Sequence, residues 1–423
     1  MKRTGLLLFT VLFSSQVISQ DYTICKWYND YQACIVQTYD DMHSQHITVA
    51  VPLLLERKMS GTLFVDYDWP GHITVAGGWA GLENAVDSGI EMANHTRSHA
   101  SLPGLDAGML KFQIDTFRTF LNDSIKNQTV NTFAYPYGAG MDDPVVIEKV
   151  KEHHIGARAA GQPGQTPWGW GYHWLYDFGD SDNEYYYIPT ISGENLNGIE
   201  EEQINNALMH GGLMTVMWHG VSDITHAANL DEIVKYSKGK IWHANFRDAL
   251  LYHRERKSAV LSIKSETITE MVLVLSDTLT DNTTFNHPLT IKLKQDGRTF
   301  QSIEQNGKDI TFVISNDSAI FNAIPDGGDI ILQQLNGTMS LNETNIPLVL
   351  HLYLNQASKR LIVRLSSDNL TTCTIINSLG QTVVNHQSAQ KNYNLDLSHL
   401  RSGLYSVVLR SGNNRDSRLI VIN

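Results

Sequence analysis

Two histidines four apart, His95 and His99 in "NHTRSH" (94–99), and two adjacent carboxylates, Asp40 and Asp41 in "QTYDD" (37–41), are the residues of this chain whose types and spacing best suit chemistry. His-x-x-x-His spacing puts two imidazoles on one face of a helical turn, where both reach one cation. Two histidines and one aspartate make the open three-ligand set of catalytic zinc, with a position left for water. Two further polar residues directly follow apolar runs: Tyr137 after "TFAYP" (132–136) and His219 after "LMTVM" (213–217). Singly, each of these has a plainer explanation. An Asp-Asp pair caps helices or lies in solvated turns, and a lone histidine in "MWHGV" satisfies a core.

The elements that must position them are legible as alternation. Candidate strands are "CIVQTY" (34–39), "GTLFV" (61–65), "IEMAN" (90–94), "TFAYP" (132–136), "HIGARA" (154–159), "YYYIP" (185–189) and "LMTVM" (213–217). Amphipathic helical patterns lie between them, among them "HITVAVPLLLERK", "LDAGMLKFQIDTFRTFLND" and "DPVVIEKVKEH". Strand–helix alternation predicts a parallel sheet or barrel. The polar residues all fall just past strand ends, which converge on one mouth in such a barrel. After Lys257 the texture changes to alternating Val, Ile, Leu, Thr and Ser runs split by "QDGR", "QNGKD" and "PDGGD", which predicts antiparallel β structure over 258–340. A third β segment occupies 345–423.

The chain has 423 residues, a formal charge of −12, and no basic block of the kind that tracks phosphates, which argues against nucleic acid as a partner. Residues 1–19 have a basic start, a short apolar run and small residues near Ser19, the pattern of a secretory signal peptide. No later segment is long and apolar enough to span a bilayer. The expected setting is outside the cell or on its surface, an oxidising one in which Cys25 and Cys34 either pair or remain buried thiols.

The set "TYDD", "NHTRSH", "FAYPYG" and "MWHGV", in this order, resembles the polysaccharide deacetylases of the NodB-homology class, carbohydrate esterase family 4, over about residues 30–255. The resemblance implies a distorted (β/α)7 barrel over 20–257, followed here by two small all-β sandwich-like domains. It implies that Asp41, His95 and His99 hold a divalent metal, Zn2+ first among candidates. Asp40 would be the base, His219 the acid, and the backbone N–H of Tyr137 an oxyanion donor. The implied activity is removal of acetyl groups from a polysaccharide or oligosaccharide, N-deacetylation of a GlcNAc-containing glycan first. O-acetyl esterase action on a hemicellulose such as xylan and a catalytically silent glycan-binding module are the alternatives.

The chain departs from the family pattern in four places, the mildest being Tyr39 for a phenylalanine. Met42 replaces a glycine that often follows the two aspartates, and the Asp-rich segment before the last histidine has only Asp177 and Asp180 to offer. Ala134 stands where an arginine usually pairs with the base. Arg158, on the neighbouring candidate strand, is the expected replacement; Arg97, inside the histidine motif, is the second choice, and no replacement is the third. Trp170, in the run "PWGWGYHWLYDF" with Trp168 and Trp174, and Trp218 are the substrate-binding candidates, the run serving equally well as a small core under a loop. His43 and His46 are expected behind the site or at the surface, and His153 and His154 solvated or capping a helix.

Residues 350–423 ("LYLNQASKRLIVRL", "CTIINSLGQTVV", "LRSGLYSVVL") resemble the C-terminal sorting domain of type IX secretion cargo, which implies that secretion machinery as a partner and a domain removed on export. Mass spectrometry of the protein from its native host's medium or surface should therefore show a start near Gln20 and loss of about the last 70–80 residues. Recovery of the intact C-terminus would assign the segment to spacing or binding instead.

Overall fold

A computed structural model describes residues 22–68, 73, 77–160, 182–193, 198, 200–267, 269–335, 349–356, 358–365, 370–377, 381–411 and 414–422. The chain divides into two units, Met1–Gly337 and Thr338–Asn423.

In the first unit the strands run β1 (Tyr22–Ile24), β2 (Ala33–Tyr39), β3 (Thr62–Val65), β4 (Glu91–Asn94), β5 (Thr132–Ala134), β6 (Gly156–Arg158), β7 (Ile191–Ser192), β8 (Leu213–Trp218) and β9 (Ile241–Ala244). β2 to β8 form a parallel sheet in the order β6-β5-β4-β3-β2-β8-β7. The sheet closes on itself. Ile188 bridges Arg158 in parallel fashion, its N–H donating to the Ala157 carbonyl at 3.0 Å while Ala159 N–H donates back at 2.9 Å, and Ile191 then pairs with Val216. All seven residues of β2 are buried, as expected for a strand covered on both faces by barrel interior and outer helices. The helices begin where the sequence places caps: Asp106, Asp143 and Asn245 each accept a hydrogen bond from a first-turn N–H. Together these elements make a distorted (β/α)7 barrel.

The distortion lies at β2. It pairs with β3 only through Thr38 and Tyr39, and with β9 through Ala33–Val36. β9 was not among the predicted strands, because "IWHA" is too short to show a period. Conversely, "YYYIP" is not a strand: Asp182–Tyr186 is a 3-10 turn, and Ile188 alone makes the bridge.

The segment after Lys257 forms two antiparallel sheets, but not as a free-standing domain. β10 (Val260–Glu266), β11 (Glu270–Ser276), β13 (Thr299–Gln305), β14 (Lys308–Ile310) and β17 (Ile330–Leu335) make one; β12 (Leu289–Lys294), β15 (Phe312–Ser315) and β16 (Ser318–Ala323) make the other. β1, from the far end of the chain, completes the second by pairing with β12. Tyr252, on the helix Phe246–Ser258, ties the layers, donating to the Cys25 carbonyl at 2.9 Å and accepting from Thr290 N–H. One core runs through both: Phe64, Phe133 and Phe246 of the barrel pack in the same cluster as Leu273, Ile291 and Phe321. Cys25 and Cys34 are free and buried, and burial first of all pushes the Cys25 thiol up to about 12.

In the second unit, β18 (Val349–Asn355), β19 (Arg360–Leu365) and β22 (Asn392–Asp396) form one antiparallel sheet. β20 (Thr371–Asn377), β21 (Thr382–Ser388), β23 (Gly403–Ser411) and β24 (Asn414–Ile422) form another. Val363, Cys373, Ile375, Val407 and Leu409 fill the core of this small all-β unit.

The bottom of the barrel carries a buried carboxylate. Glu91, first residue of β4, accepts from the hydroxyls of Thr62 (2.7 Å) and Thr132 and from Arg247 N–H (2.8 Å). It thereby fastens β3 and β5 to the N-terminal turn of the helix Phe246–Ser258, whose Phe246 N–H donates to Thr62. Burial outweighs these donors and pushes the Glu91 carboxyl from 4.5 up to about 7. The unfolded chain then gives up this proton before the folded one does, so stability falls as pH rises from about 4.5 to about 7, by about 3 kcal/mol in all. Glu91→Gln should flatten urea-denaturation stability over that window; an unchanged pH slope would show that Glu91 is ionised in the fold.

Candidate active site

The mouth is built from short loops that leave β2, β4, β5, β6 and β8. After β2 the chain turns at once: Asp41 and Met42 adopt φ of 68° and 47°. This left-handed backbone explains why glycine often follows the two aspartates; Met42 accepts it at a cost of about 1–2 kcal/mol and buries its side chain in the core. The turn sends Asp40 inward and leaves Asp41 facing the mouth.

The histidine motif is not a helical turn. Residues 95–99 form a loop with φ of 62° at Thr96 and 52° at His99. Asn94, at the end of β4, shapes its start by accepting from Thr96 N–H at 3.0 Å and donating to the Ile114 carbonyl at 3.0 Å. Gln113 grips its middle: its carbonyl accepts from Arg97 N–H, and its side chain accepts from Ser98 N–H and donates to the Ser98 hydroxyl. The imidazoles thus meet by loop curvature, their ring centroids 4.9 Å apart. Gln113 escaped the sequence reading, although a glutamine on the buried stripe Leu110, Ile114, Phe117 was the available signal.

Asp41, His95 and His99 converge, each offering a ligand atom within 4.8 Å of the others. Asp41 Oδ1 lies 3.0 Å from His99 Nε2 and 3.4 Å from His95 Nε2, yet makes no directed hydrogen bond and is buried. His95 Nδ1–H donates to the Ala134 carbonyl at 2.9 Å, which leaves the Nε2 lone pair facing the carboxylate. Lone pairs pointed at one spot need a cation there, so the donor set fits a divalent metal. Burial works against charge on Asp41, but His95 and His99 hold its carboxyl well below the usual range, so it stays an anionic ligand. Burial likewise lowers His95, and Asp40 and Asp41 outweigh it. A second carboxylate–histidine group, Asp115, Glu152 and His153, is a poor candidate, because the Lys149 ammonium already pairs with Asp115 and, at 2.7 Å, with Glu152.

Asp40 sits behind the trio, buried, with Oδ2 3.9 Å from His95 Nε2. Arg158, at the end of β6 and fully buried, donates through Nη2 to both Asp40 oxygens. Its guanidinium lies 4.9 Å over the Phe64 ring, and Nη1 donates to the Ala159 carbonyl. Arg97 does not reach Asp40; it packs against Tyr67 and Phe112 and pairs with Asp68. Ala134 contributes its carbonyl rather than a cation.

His219 stands at the rim, partly exposed, Nε2 4.0 Å from Asp41 Oδ2. Its carbonyl accepts from His46 Nε2–H at 2.5 Å; His46 is fully buried, and burial lowers its imidazole to about 4. Tyr137 is 58% exposed at φ 59°, its ring edge-on to His99 at 4.4 Å. Trp218 is 3% exposed: its indole donates to Gln37 at 2.8 Å, and a Cβ at Gly193 would lie 2.2 Å from its ring, so the face a sugar would stack on is covered. His154 is not solvated; it caps the helix Pro144–Lys151, its Nδ1–H donating to the Val150 carbonyl at 2.9 Å. It is buried, which lowers it to about 3, and its Nε2 lies 3.2 Å from the Asn94 amide. Trp168, Trp170, Trp174, Asp177 and Asp180 lie outside the described residues, as does the signal segment.

Residues 28–155 match the family model of polysaccharide deacetylases, and residues 351–423 that of the secretion system C-terminal sorting domain. Residues 28–155 therefore form a domain of the polysaccharide deacetylase type. The sorting-domain match over residues 351–423 points to export; among the described residues no helix is long and apolar enough to cross a membrane. Solved structures similar at low identity include three to set beside this chain. One is a mutant of a CE4 family pseudoenzyme from Bacillus anthracis with restored enzymatic activity (15% identity, 53% of this chain and 69% of that one, TM-score 0.37). Another is the peptidoglycan deacetylase PdaC from Bacillus subtilis (14%, 55% and 96%, TM-score 0.36). The third is the Xyl-CE4 domain of a multidomain xylanase from the hindgut metagenome of Trinervitermes trinervoides (14%, 51% and 89%, TM-score 0.34). No curated protein is a match.

Asp41→Ala and His95→Ala should each abolish stoichiometric zinc in purified protein, measured by elemental analysis, whereas Asp40→Asn should keep it. Equal metal loss in all three would make Asp40 a ligand.

Proposed function

We propose that this protein is a secreted, metal-dependent hydrolase that removes acetyl groups from a polysaccharide or its oligosaccharides, N-deacetylation of a GlcNAc-containing glycan being the leading reaction. The observation that carries the reading is the buried Arg158–Asp40 pair beside Asp41, His95 and His99. Burying two charges costs several kcal/mol per ion before their attraction offsets it. A catalytically silent glycan-binding module would have no use for such a pair next to a ligand trio. O-acetyl esterase action on a hemicellulose uses the same groups and is the second reading.

A divalent metal, zinc by its donor set, would be held by Asp41, His95 and His99 and would supply Lewis acidity to a water and to the acetyl carbonyl. Asp40, fixed by Arg158, takes the proton of the attacking water. The backbone N–H of Tyr137, at the rim, donates to the oxyanion of the tetrahedral intermediate. His219, anchored through its carbonyl by His46, returns a proton to the leaving amine or alcohol.

Acetate release should be detectable from chitooligosaccharides, with acetylated xylan the comparison that separates amide from ester substrates. Asp40→Asn should lower kcat by about 10²–10⁴ with KM little changed. Metal-replete wild-type protein that releases no acetate from any acetylated glycan would favour the silent module. Arg158→Ala should also lower kcat, and should destabilise the fold by about 3–5 kcal/mol by leaving Asp40 buried without its cation. Unchanged kcat in a folded Arg158→Ala variant would show that Asp40 needs no such support.

A further inference from the structure

We propose that Arg97, held in a collar of aromatic rings beside the metal-ligand loop, forms a subsite for a carboxylate-bearing sugar, so that the glycan this protein acts on is acidic. The inference rests on the deacetylase reading for the reaction, but not for the binding. Arg97 lies two residues from each candidate metal-ligand histidine, so its Cα is within about 7 Å of theirs. Its carbonyl accepts from Tyr67 N–H at 3.0 Å and Asp68 N–H at 3.1 Å, which joins the loop after β3 to the loop after β4 at the mouth.

The side chain is held by rings rather than by hydrogen bonds. The guanidinium carbon lies 5.1 Å from the Tyr67 ring centroid, 5.2 Å from Phe112 and 5.7 Å from Phe120. Tyr67 is itself fixed from behind, stacked on Trp79 at 11° and 6.2 Å and edge-on to Phe120 at 5.0 Å. Even so, Tyr67 is 38% and Phe112 40% exposed, so the collar opens to solvent. Among the described residues the polar partner of Arg97 is Asp68, which meets Nε at 3.5 Å and is itself exposed. That contact leaves the two terminal nitrogens, the prongs that match a carboxylate bidentately. Rings that hold the guanidinium reduce the entropy lost on binding and lower the local dielectric, which strengthens its pull on an anion. A neutral glycan would offer this cation only uncharged acceptors, which bind it about half as strongly as a carboxylate does.

The test is calorimetric titration of the full chain with oligosaccharides of alternating glucuronic acid and N-acetylglucosamine, and with chitooligosaccharides of equal length. The acidic series should bind about tenfold more tightly. Arg97→Gln should bring the ratio of the two affinities to within about twofold of unity, and Arg97→Lys, which keeps charge without the fork, should leave it intermediate. In wild-type protein, which needs no variant to fold, 0.5 M salt should erase most of the preference. Equal wild-type affinity for the two series, or an Arg97→Gln loss that is the same for both, would overturn the subsite and leave Arg97 a packing residue. Acetate release measured in parallel separates the two readings. Charge-selective binding with no acetate from either series keeps the subsite and sinks the N-deacetylase reading, and release without charge selectivity does the reverse.

Discussion

The buried pair between Arg158 and Asp40 is the constraint around which the mouth is arranged. Arg158 ends β6 and Asp40 follows β2, four strands along the sheet, so the two side chains meet only because the sheet curls into a barrel. The pair needs a dry, shaped lining, and Phe64 under the guanidinium supplies part of it. It also needs closure beyond β6, which the Ile188 bridge provides at Arg158 itself. The strand that carries the cation is thus the strand on which the ring shuts.

Two kinds of support hold the remaining groups. His95 and Asp40 are fixed from within the barrel, by the Ala134 carbonyl and by Arg158. The histidine loop and His219 are fixed from the outer layer, by Gln113 on one side and His46 on the other. The second kind consists of buried polar side chains projecting from helical segments, which is why a barrel of this type can keep its chemistry while the strands themselves stay short. Glu91 plays the corresponding part at the opposite end, where it serves cohesion and no reaction. Top and bottom of β4 are three residues apart, and they divide the candidate site from the cohesive end, as strand ends in barrels divide catalysis from stability.

The β layer after the barrel changes what a domain boundary means here. Its sheet takes β1 from the start of the described chain, and its core is continuous with the helix Phe246–Ser258. A barrel cut at Lys257 would expose Tyr252 and lose the partner strand of Tyr22–Ile24. The sorting unit, by contrast, has its own core and its own two sheets.

The sequence by itself determined the class of fold, since strand–helix alternation is a local pattern, and the inner residues of the site, since "TYDD", "NHTRSH" and "MWHGV" each sit within one turn of a strand end. It also pointed to Arg158, because neighbouring strand ends share a mouth. It misjudged how the histidines meet, because His-x-x-x-His spacing is compatible with a helix and with a tight loop, and only Asn94 and Gln113, one of them from a distant helical segment, select the loop. It could not tell that Trp218 faces Gly193, that His154 and His46 are buried, or that residues 258–335 share the barrel's core. Each of these is a contact between segments far apart in the chain, and composition and period carry no information about which surfaces those segments present to each other. Tertiary packing alone decided them.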